Sequence, residues 1–420
     1  MRSTVAVVGA GVSGLTAAHV LRRSHDVVLL ESEDRLGGHA HTHTVTTDGG
    51  ADRVDSGFIV HNDRTYPLLR RLFAELDVPV RPTEMSMSIT CEDCGLSYAG
   101  GRKLDGLFAQ RRRLGDPRYL RLLASVKRFQ RLANTLLDQP ADAAEPQTYG
   151  DFLRAHGFGE HFVHHYAIPV VACVWSSGRG TALEYPARYL FTFLRHHGFL
   201  SVSGSPQWYT VEGGSRTYVD KLAAGLDDVR VSTPVRAVSR KPDGIELLDA
   251  AGTVHRADKV VVATHADDAL ALLTDATDDE RAVLGSFDYS DNHTVLHRDE
   301  SLLPSARGAR ASWNYRMNGC AQGDGSPTVT YWMNKLQGLD ESTPYLVSLN
   351  SDGVDPATVI AEMDYRHPIY TPTSVAAQER LAGLNDGRTA FAGAYHGWGF
   401  HEDGCRSGVA AAESLGGTWT

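Results

Sequence analysis

The chain runs to 420 residues, with 41 Lys and Arg against 51 Asp and Glu, a formal net charge of −10 and 42% apolar residues. That length holds two packed domains or one with a large insertion, and the acidic balance excludes general nucleic-acid binding, which needs a basic face to displace counterions. No segment reaches the ~18 uninterrupted apolar residues of a membrane span, the apolar N-terminal run is broken by glycines and is no signal peptide, and five cysteines without a regular framework fit a reducing compartment.

Val5 to Val8 make a short apolar run of the kind buried on both faces of a parallel sheet, and Gly9-Ala10-Gly11-Val12-Ser13-Gly14 follows at once. Leu15, Ala18 and Leu21 recur at helical spacing, Val27 to Leu30 form a second strand, and Glu31 closes it. Strand, glycine turn, helix, strand and acid stand in the order of a dinucleotide-binding βαβ unit. In such a unit Gly9, Gly11 and Gly14, with Ser13, allow a tight turn and close approach to a pyrophosphate at the helix N-terminus, and Glu31 accepts hydrogen bonds from a ribose.

The next stretch, Glu31-Ser32-Glu33-Asp34-Arg35-Leu36-Gly37-Gly38, resembles the E-x3-R-x-G-G signature of the flavin amine oxidase and phytoene desaturase superfamily. End to end, the chain resembles the bacterial branch known as predicted FAD-binding oxidoreductases. The resemblance implies an α/β fold: a Rossmann-like FAD-binding domain of the glutathione-reductase type with an inserted α+β substrate domain. It implies noncovalent FAD, with Arg35, Gly37 and Gly38 extending the pyrophosphate cradle. Many relatives carry an arginine after the glycine pair; His39 stands there instead, which implies a weaker or pH-dependent phosphate contact.

His39, His41 and His43 alternate, so on a strand they share one face, but no carboxylate joins them in register and no metal is expected there. The resemblance places Gly57 and Phe58 beside the flavin, glycine letting the backbone approach the ring. Leu68 to Leu76 read as an amphipathic helix, and Met85 to Thr90 with Leu96 to Ala99 as a hairpin. Cys91 and Cys94 lie at its tip without two further ligands at matching sequence spacing, so a zinc or redox role is the lesser reading. Residues 102 to 200 read as largely helical, with a break over Pro140 to Pro146. Ten Lys and Arg between Arg102 and Arg131, Arg111, Arg112 and Arg113 among them, face only Asp105 and Asp116. They read as a solvated helix face, or as a docking surface for lipid head groups or an anionic carrier protein. His161 and His165 share a helix face but lack the acid of a zinc-protease motif.

Val211-Glu212-Gly213-Gly214-Ser215 with Leu222 and Leu226 resembles the element at which relatives return to the cofactor domain. The resemblance carries an adenine contact to Val235 and a position near the cofactor to Thr264, at the end of the strand from Lys259. Four short β runs between His293 and Asn350, with the earlier hairpin, predict a mixed sheet of about six strands. Lys335, beside one of them, is either the lysine that some relatives hold near flavin N5 or a surface lysine. Thr389 to Ala394 resembles the F-A-G strand before the flavin-closing helix, with Gly393, Ala394, Asp403 and Gly404 at the cofactor and the helix beginning near Asp403. These signatures divide the chain into a discontinuous cofactor domain (1–80, 208–266 and 385–420) and a substrate domain (81–207 and 267–384).

Tyr395, Trp398 and Phe400 are the candidate substrate aromatics, and His396 and Lys335 the candidate catalytic groups. With no second glycine-rich unit for a pyridine nucleotide, the substrate itself is expected to reduce the flavin. The expected function is hydride removal from a largely apolar substrate, lipid or acyl. Amine oxidation, flavin-dependent isomerisation or reduction of a lipid double bond, and non-catalytic lipid binding on the same fold are the alternatives. The expected location is the cytoplasm or the surface of a membrane.

Overall fold

The strand Thr4–Val8 lies at the centre of a five-stranded parallel sheet, flanked by Asp26–Leu30 and Lys259–Val262, with Asp228–Arg230 and Thr389–Phe391 at the edges. In this computed structural model, residues 2–47, 49–101, 103–140, 147–175, 178–201, 204–321 and 328–420 are described. Arg102 of the basic stretch and residues 141–146 of the expected helix break lie outside them, as does the side chain of Lys103.

The continuous apolar run of the central strand has its reason in the layers. Val5 and Val7 face one core, shared with helices Val12–Leu21 and His401–Ser414, while Ala6 and Val8 face a second, shared with helix Ala266–Leu272. Neither face meets water, so alternation with polar residues has no use. All ten residues of helix Val12–Leu21 are buried. Against it lies the closing helix, which starts at His401, two residues before the expected point. A Cβ on Gly404 would sit 2.6 Å from Val12 Cγ1, and one on Gly408 would sit 2.3 Å from the Ser13 carbonyl oxygen, so the two helices meet backbone to backbone.

A second, seven-stranded mixed sheet runs in the order Val359–Ile369, Asp288–His297, Leu346–Leu349, Thr328–Trp332, Trp313–Met317, Met87–Cys91, Ser97–Gly100. The expected sheet lacked Val359–Ile369. Glu362, Asp364, Arg366 and His367 break the apolar pattern of that segment and Pro368 interrupts it, which an edge position tolerates because one row of its N–H groups has no partner strand. The helical part packs on the far end of this sheet. Its longest helix, Pro117–Asp138, is capped by the Asp116 carboxylate, which accepts from the Arg118 and Tyr119 N–H groups. Between Glu160 and Trp175 the helix passes through a π-turn at Val163–Ala167. A small sheet of Val60–Asn62, Trp208–Val211 and Val80–Thr83 joins the two parts.

Candidate functional site

A cleft of about 430 Å³ runs from the glycine turn to the inner face of the seven-stranded sheet. At its polar end Gly9 has φ +98, and a Cβ on Gly14 would fall 1.9 Å from the Gly9 carbonyl oxygen, so helix and turn close tightly. Gly11 differs: a Cβ there would meet nothing within 4 Å and would project into open space. No side chain caps the helix that Gly11 begins, and no acid lies in its first turn. Free N–H groups and the positive end of the helix dipole therefore meet the cleft, an arrangement suited to a pyrophosphate.

Glu31 ends the second strand beside this turn. Its Oε2 accepts from the Ala10 N–H (2.6 Å) and its Oε1 from Ser32 Oγ (3.0 Å) and the Glu33 N–H (2.9 Å). The second glycine pair lies on the first turn: the Gly37 N–H donates to the Ala10 carbonyl, and a Cβ on Gly38 would sit 3.2 Å from Gly11 Cα. Arg35 is turned back, donating to the Gly38 carbonyl (2.8 Å) and pairing with Glu33 (2.8 Å), so it braces the loop from behind the cleft wall. Val235 also lies off that wall, next to Ser232 and Thr233, whose N–H groups bond the Glu33 and Glu31 carbonyls.

His39, Gly57, Phe58, Thr264, Gly393, Ala394, Tyr395 and Phe400 all line the cleft. The reason for Gly57 differs from expectation, because a Cβ there would strike the His39 carbonyl at 2.0 Å; the glycine lets two stretches of this chain's own backbone touch. Phe58 stacks on His401 at 3.8 Å. Asp403 and Gly404, expected at the cofactor, are not among the residues that line the cleft. Asp403 caps the closing helix, accepting from the Trp398 and Phe400 N–H groups, and Gly404 serves the helix contact.

His396 and Lys335 are likewise off the cleft. The His396 ring is enclosed in the turn before the closing helix, pushed down to about 4 by burial and by the Arg406 charge. Lys335 Nζ pairs with Glu84 at 3.1 Å and lies over the Trp332 ring. Trp398 does not line the cleft but packs behind its wall, against Tyr189, Phe193 and His196.

Sequence reasoning missed most of the far wall. Phe193, Phe199, Trp208, Trp313, Tyr331 and Leu349 converge there from helix, loop and sheet. It also missed His265, Tyr289, Tyr365 and His367, the last two on the unforeseen edge strand. Tyr365 OH bonds Ser56 Oγ (2.7 Å) and His41 Nδ1 (3.0 Å), and His43 Nε2 reaches Ser56 Oγ (2.8 Å), forming a hydroxyl–imidazole chain beside the cleft.

Five histidines on the wall are held neutral, among them His197, which burial pushes down to about 4. Burial and the neighbouring His367 keep His39 well below the usual imidazole range, burial and His265 push His367 down to about 4, burial and His61 push His401 down to about 3, and burial lowers His265. Any contact of His39 to a cofactor phosphate would therefore be that of a neutral ring. Its Nε2 is enclosed without a partner in the described protein, which suits a bound group. The open Gly11 face, the uncapped helix and this unpartnered nitrogen together fit FAD.

Two outcomes check this geometry. Gly11→Val places a branched side chain where the pyrophosphate needs room, so the variant should purify folded but with less than about a tenth of wild-type FAD; full flavin content would place the cofactor elsewhere. In acid, the unfolded chain binds protons at these histidines while the folded chain does not. Stability is then fully present above pH ~6.5 and falls as pH drops toward ~4, by up to ~1.4 kcal/mol per pH unit for each such group. His367→Phe should flatten the fall of Tm with acid, read by thermal melts from pH 7.5 to 4.5.

The model of the flavin-containing amine oxidoreductase family matches residues 12–291. Lysine-specific histone demethylase 1B of Mus musculus is 26% identical over 270 residues, covering 62% of this chain and 29% of that protein. The chain spans less than a third of the length of the curated relatives it matches. Among solved structures, the cyclohexylamine oxidase from Brevibacterium oxydans superposes with a TM-score of 0.70 at 16% identity, covering 99% of both chains. The CLA-producing fatty acid isomerase from P. acnes gives 0.67 at 17% identity over 97% of both chains. At these identities the likeness is one of fold. With two thirds of its length matched by the family model and a cleft shaped for the cofactor, this chain belongs to the flavin-containing amine oxidoreductase family, and its cofactor is FAD.

Proposed function

We propose that the protein is an FAD-dependent oxidoreductase that removes a hydride from carbon in a largely apolar substrate, a fatty acyl chain or similar lipid. Residues 1–80, 208–266 and 385–420 would form the cofactor unit, with 81–207 and 267–384 shaping the substrate side. The observation that carries the reading is the far wall of the cleft, where Phe193, Phe199, Trp208, Trp313, Tyr331 and Leu349 converge with no carboxylate among them. Glu31 and Asp268 are the carboxylates on the cleft wall among the described residues. Glu31 is engaged at the glycine turn, and Asp268 faces Arg366 (3.6 Å) and His265 (3.7 Å), so neither is free to hold an ammonium group.

When bound, FAD supplies a hydride acceptor that needs little acid–base help. The protein's share is to bind, orient and dry the substrate. Burial of hydrocarbon against the far wall contributes about 25 cal/mol per Å². The rings of that wall also exclude water from the reacting carbon. A proton lost from a neighbouring carbon would meet the neutral imidazoles of His367 and His401 on the cleft wall, in place of His396. A second reading keeps the lipid but is redox-neutral: double-bond isomerisation, for which the fold likeness to a fatty acid isomerase speaks.

The basic stretch supports delivery from a lipid surface. Arg111, Arg112, Arg118 and Arg121 are exposed, and beside them Leu104, Leu114 and Leu120 show 69%, 55% and 43% of their surface. Exposed leucines among arginines suit an anionic interface better than a solvated helix face. Arg113 serves the fold instead, pairing with Asp116 (2.6 Å) and donating to the Cys94 carbonyl (2.9 Å). No helix among the described residues is long and apolar enough to cross a membrane.

The test is anaerobic bleaching of the flavin by a panel of fatty acids, acyl carriers and amines. Acyl lipid presented in anionic vesicles should bleach it, and reversing Arg111, Arg112, Arg118 and Arg121 to Glu should slow that at least ~10-fold, each basic residue near such a surface being worth ~1 kcal/mol. Bleaching by a small soluble amine, indifferent to the reversals, would reject the lipid reading.

A further inference from the structure

Far along the substrate side, four metal-binding side chains distant in sequence share one point in space. Cys91 ends a strand of the seven-stranded sheet, Cys94 follows in the hairpin turn, Cys320 lies three residues past the strand Trp313–Met317, and His165 sits in the π-turn. One donor atom from each lies within 4.8 Å of all the others. Cys91 Sγ is 3.8 Å from Cys320 Sγ, and Cys94 Sγ is 3.5 Å from His165 Nε2. Zinc–sulfur bonds of about 2.3 Å and a zinc–nitrogen bond of about 2.0–2.1 Å in tetrahedral geometry require edges of ~3.8 Å between sulfurs and ~3.6 Å from sulfur to nitrogen. These two edges match those of a zinc tetrahedron. A disulfide requires sulfurs about 2.05 Å apart, and all five cysteines are free.

The surroundings fix the donors. His165 Nδ1 donates to the His161 carbonyl (3.1 Å), which leaves the Nε2 lone pair directed at Cys94. This is the outer hydrogen bond that orients a metal-binding imidazole and sets its tautomer. The Cys91 N–H bonds the Leu96 carbonyl, the Cys320 N–H reaches the Asp93 carboxylate (3.3 Å), and Arg113 holds the Cys94 carbonyl. Cys91 and His165 are buried, and Cys94 and Cys320 half-buried. Sequence spacing around Cys91 and Cys94 does not show Cys320 and His165, which the fold delivers from separate elements.

We propose that Cys91, Cys94, Cys320 and His165 form a structural zinc site. Four protein ligands leave no open position, so the site would be closed and non-catalytic. It would staple the hairpin and the Trp313–Met317 strand to the π-turn and hence to helix Ile168–Trp175, whose last residues, Val174 and Trp175, form part of the cleft wall. A staple there holds one side of the cleft at a fixed distance from the sheet.

The experiment is metal analysis of the FAD-loaded full chain, expressed with added zinc and purified without chelator. About one zinc per chain is expected, and cobalt grown in its place should give the intense visible bands of a tetrahedral thiolate site. Cys320→Ser and His165→Ala should each carry less than about a tenth of the wild-type zinc, while Cys173→Ser keeps it. Should those ligand variants fail to fold, the wild-type zinc content and cobalt spectrum decide alone. Wild-type protein with only trace zinc overturns the proposal, whether its thiols titrate as free or non-reducing mass spectrometry finds Cys91 joined to Cys320. Zinc retained at full stoichiometry in both ligand variants overturns it equally.

Discussion

The backbone contact between helices Val12–Leu21 and His401–Ser414 is the constraint on which the site depends. Two helices approach this closely only where side chains are absent, and Gly404 and Gly408 supply two such positions one turn apart. A side chain at either would drive the helices apart at a cost of ~1–3 kcal/mol or more. Both helix starts would then leave the cleft, for Gly11 to Ser13 and Phe400 to His401 all stand on its wall. The cofactor end is thus built from the first and last parts of the chain at once, and neither part makes it alone.

From that end the cleft changes character along its length. Unpaired N–H groups and a helix dipole lie at the glycine turn, neutral imidazoles and hydroxyls flank the middle, and aromatic rings close the far end. Burial decides the protonation of the middle section, since no carboxylate among the described residues lies close enough to His39, His367 or His401 to hold a charge on them. With these imidazoles neutral and Asp268 facing Arg366, the middle section carries little net charge, which suits a substrate that brings little of its own. It also leaves the dipole at the turn as the main field acting on a bound anion.

The legible parts of the sequence were those whose constraint is local. A tight turn, an uncapped helix start and a strand buried on both faces each leave a mark within a few residues, so Gly9 to Gly14, Glu31 and the parallel sheet were readable. Chemistry assembled from distant segments left no such mark. Trp208, Tyr331 and Leu349 look like ordinary strand residues until the sheet folds over the cleft. Tyr365 and His367 sit in a polar segment with a proline that does not announce a strand. His396 drew attention because it follows the F-A-G strand, yet the tight turn at Gly393 to Gly397 buries its ring away from the cleft. Likewise Cys320 and His165 reach the Cys91–Cys94 pair only through a strand pairing and a π-turn, neither of which spacing can show.

If one cleft holds FAD at its glycine end and hydrocarbon at its aromatic end, a ligand at the far wall should be felt by the flavin. Flavin difference spectroscopy reads this while the purified yellow protein is titrated with a long-chain fatty acid, alongside a Phe199→Glu variant. A saturable perturbation of the flavin bands in wild type, weakened at least ~10-fold in the variant at unchanged FAD content, is the predicted result, since a carboxylate on that wall repels the acyl chain and loses its own hydration. No perturbation in wild type, or an equal one in both proteins, would contradict the account.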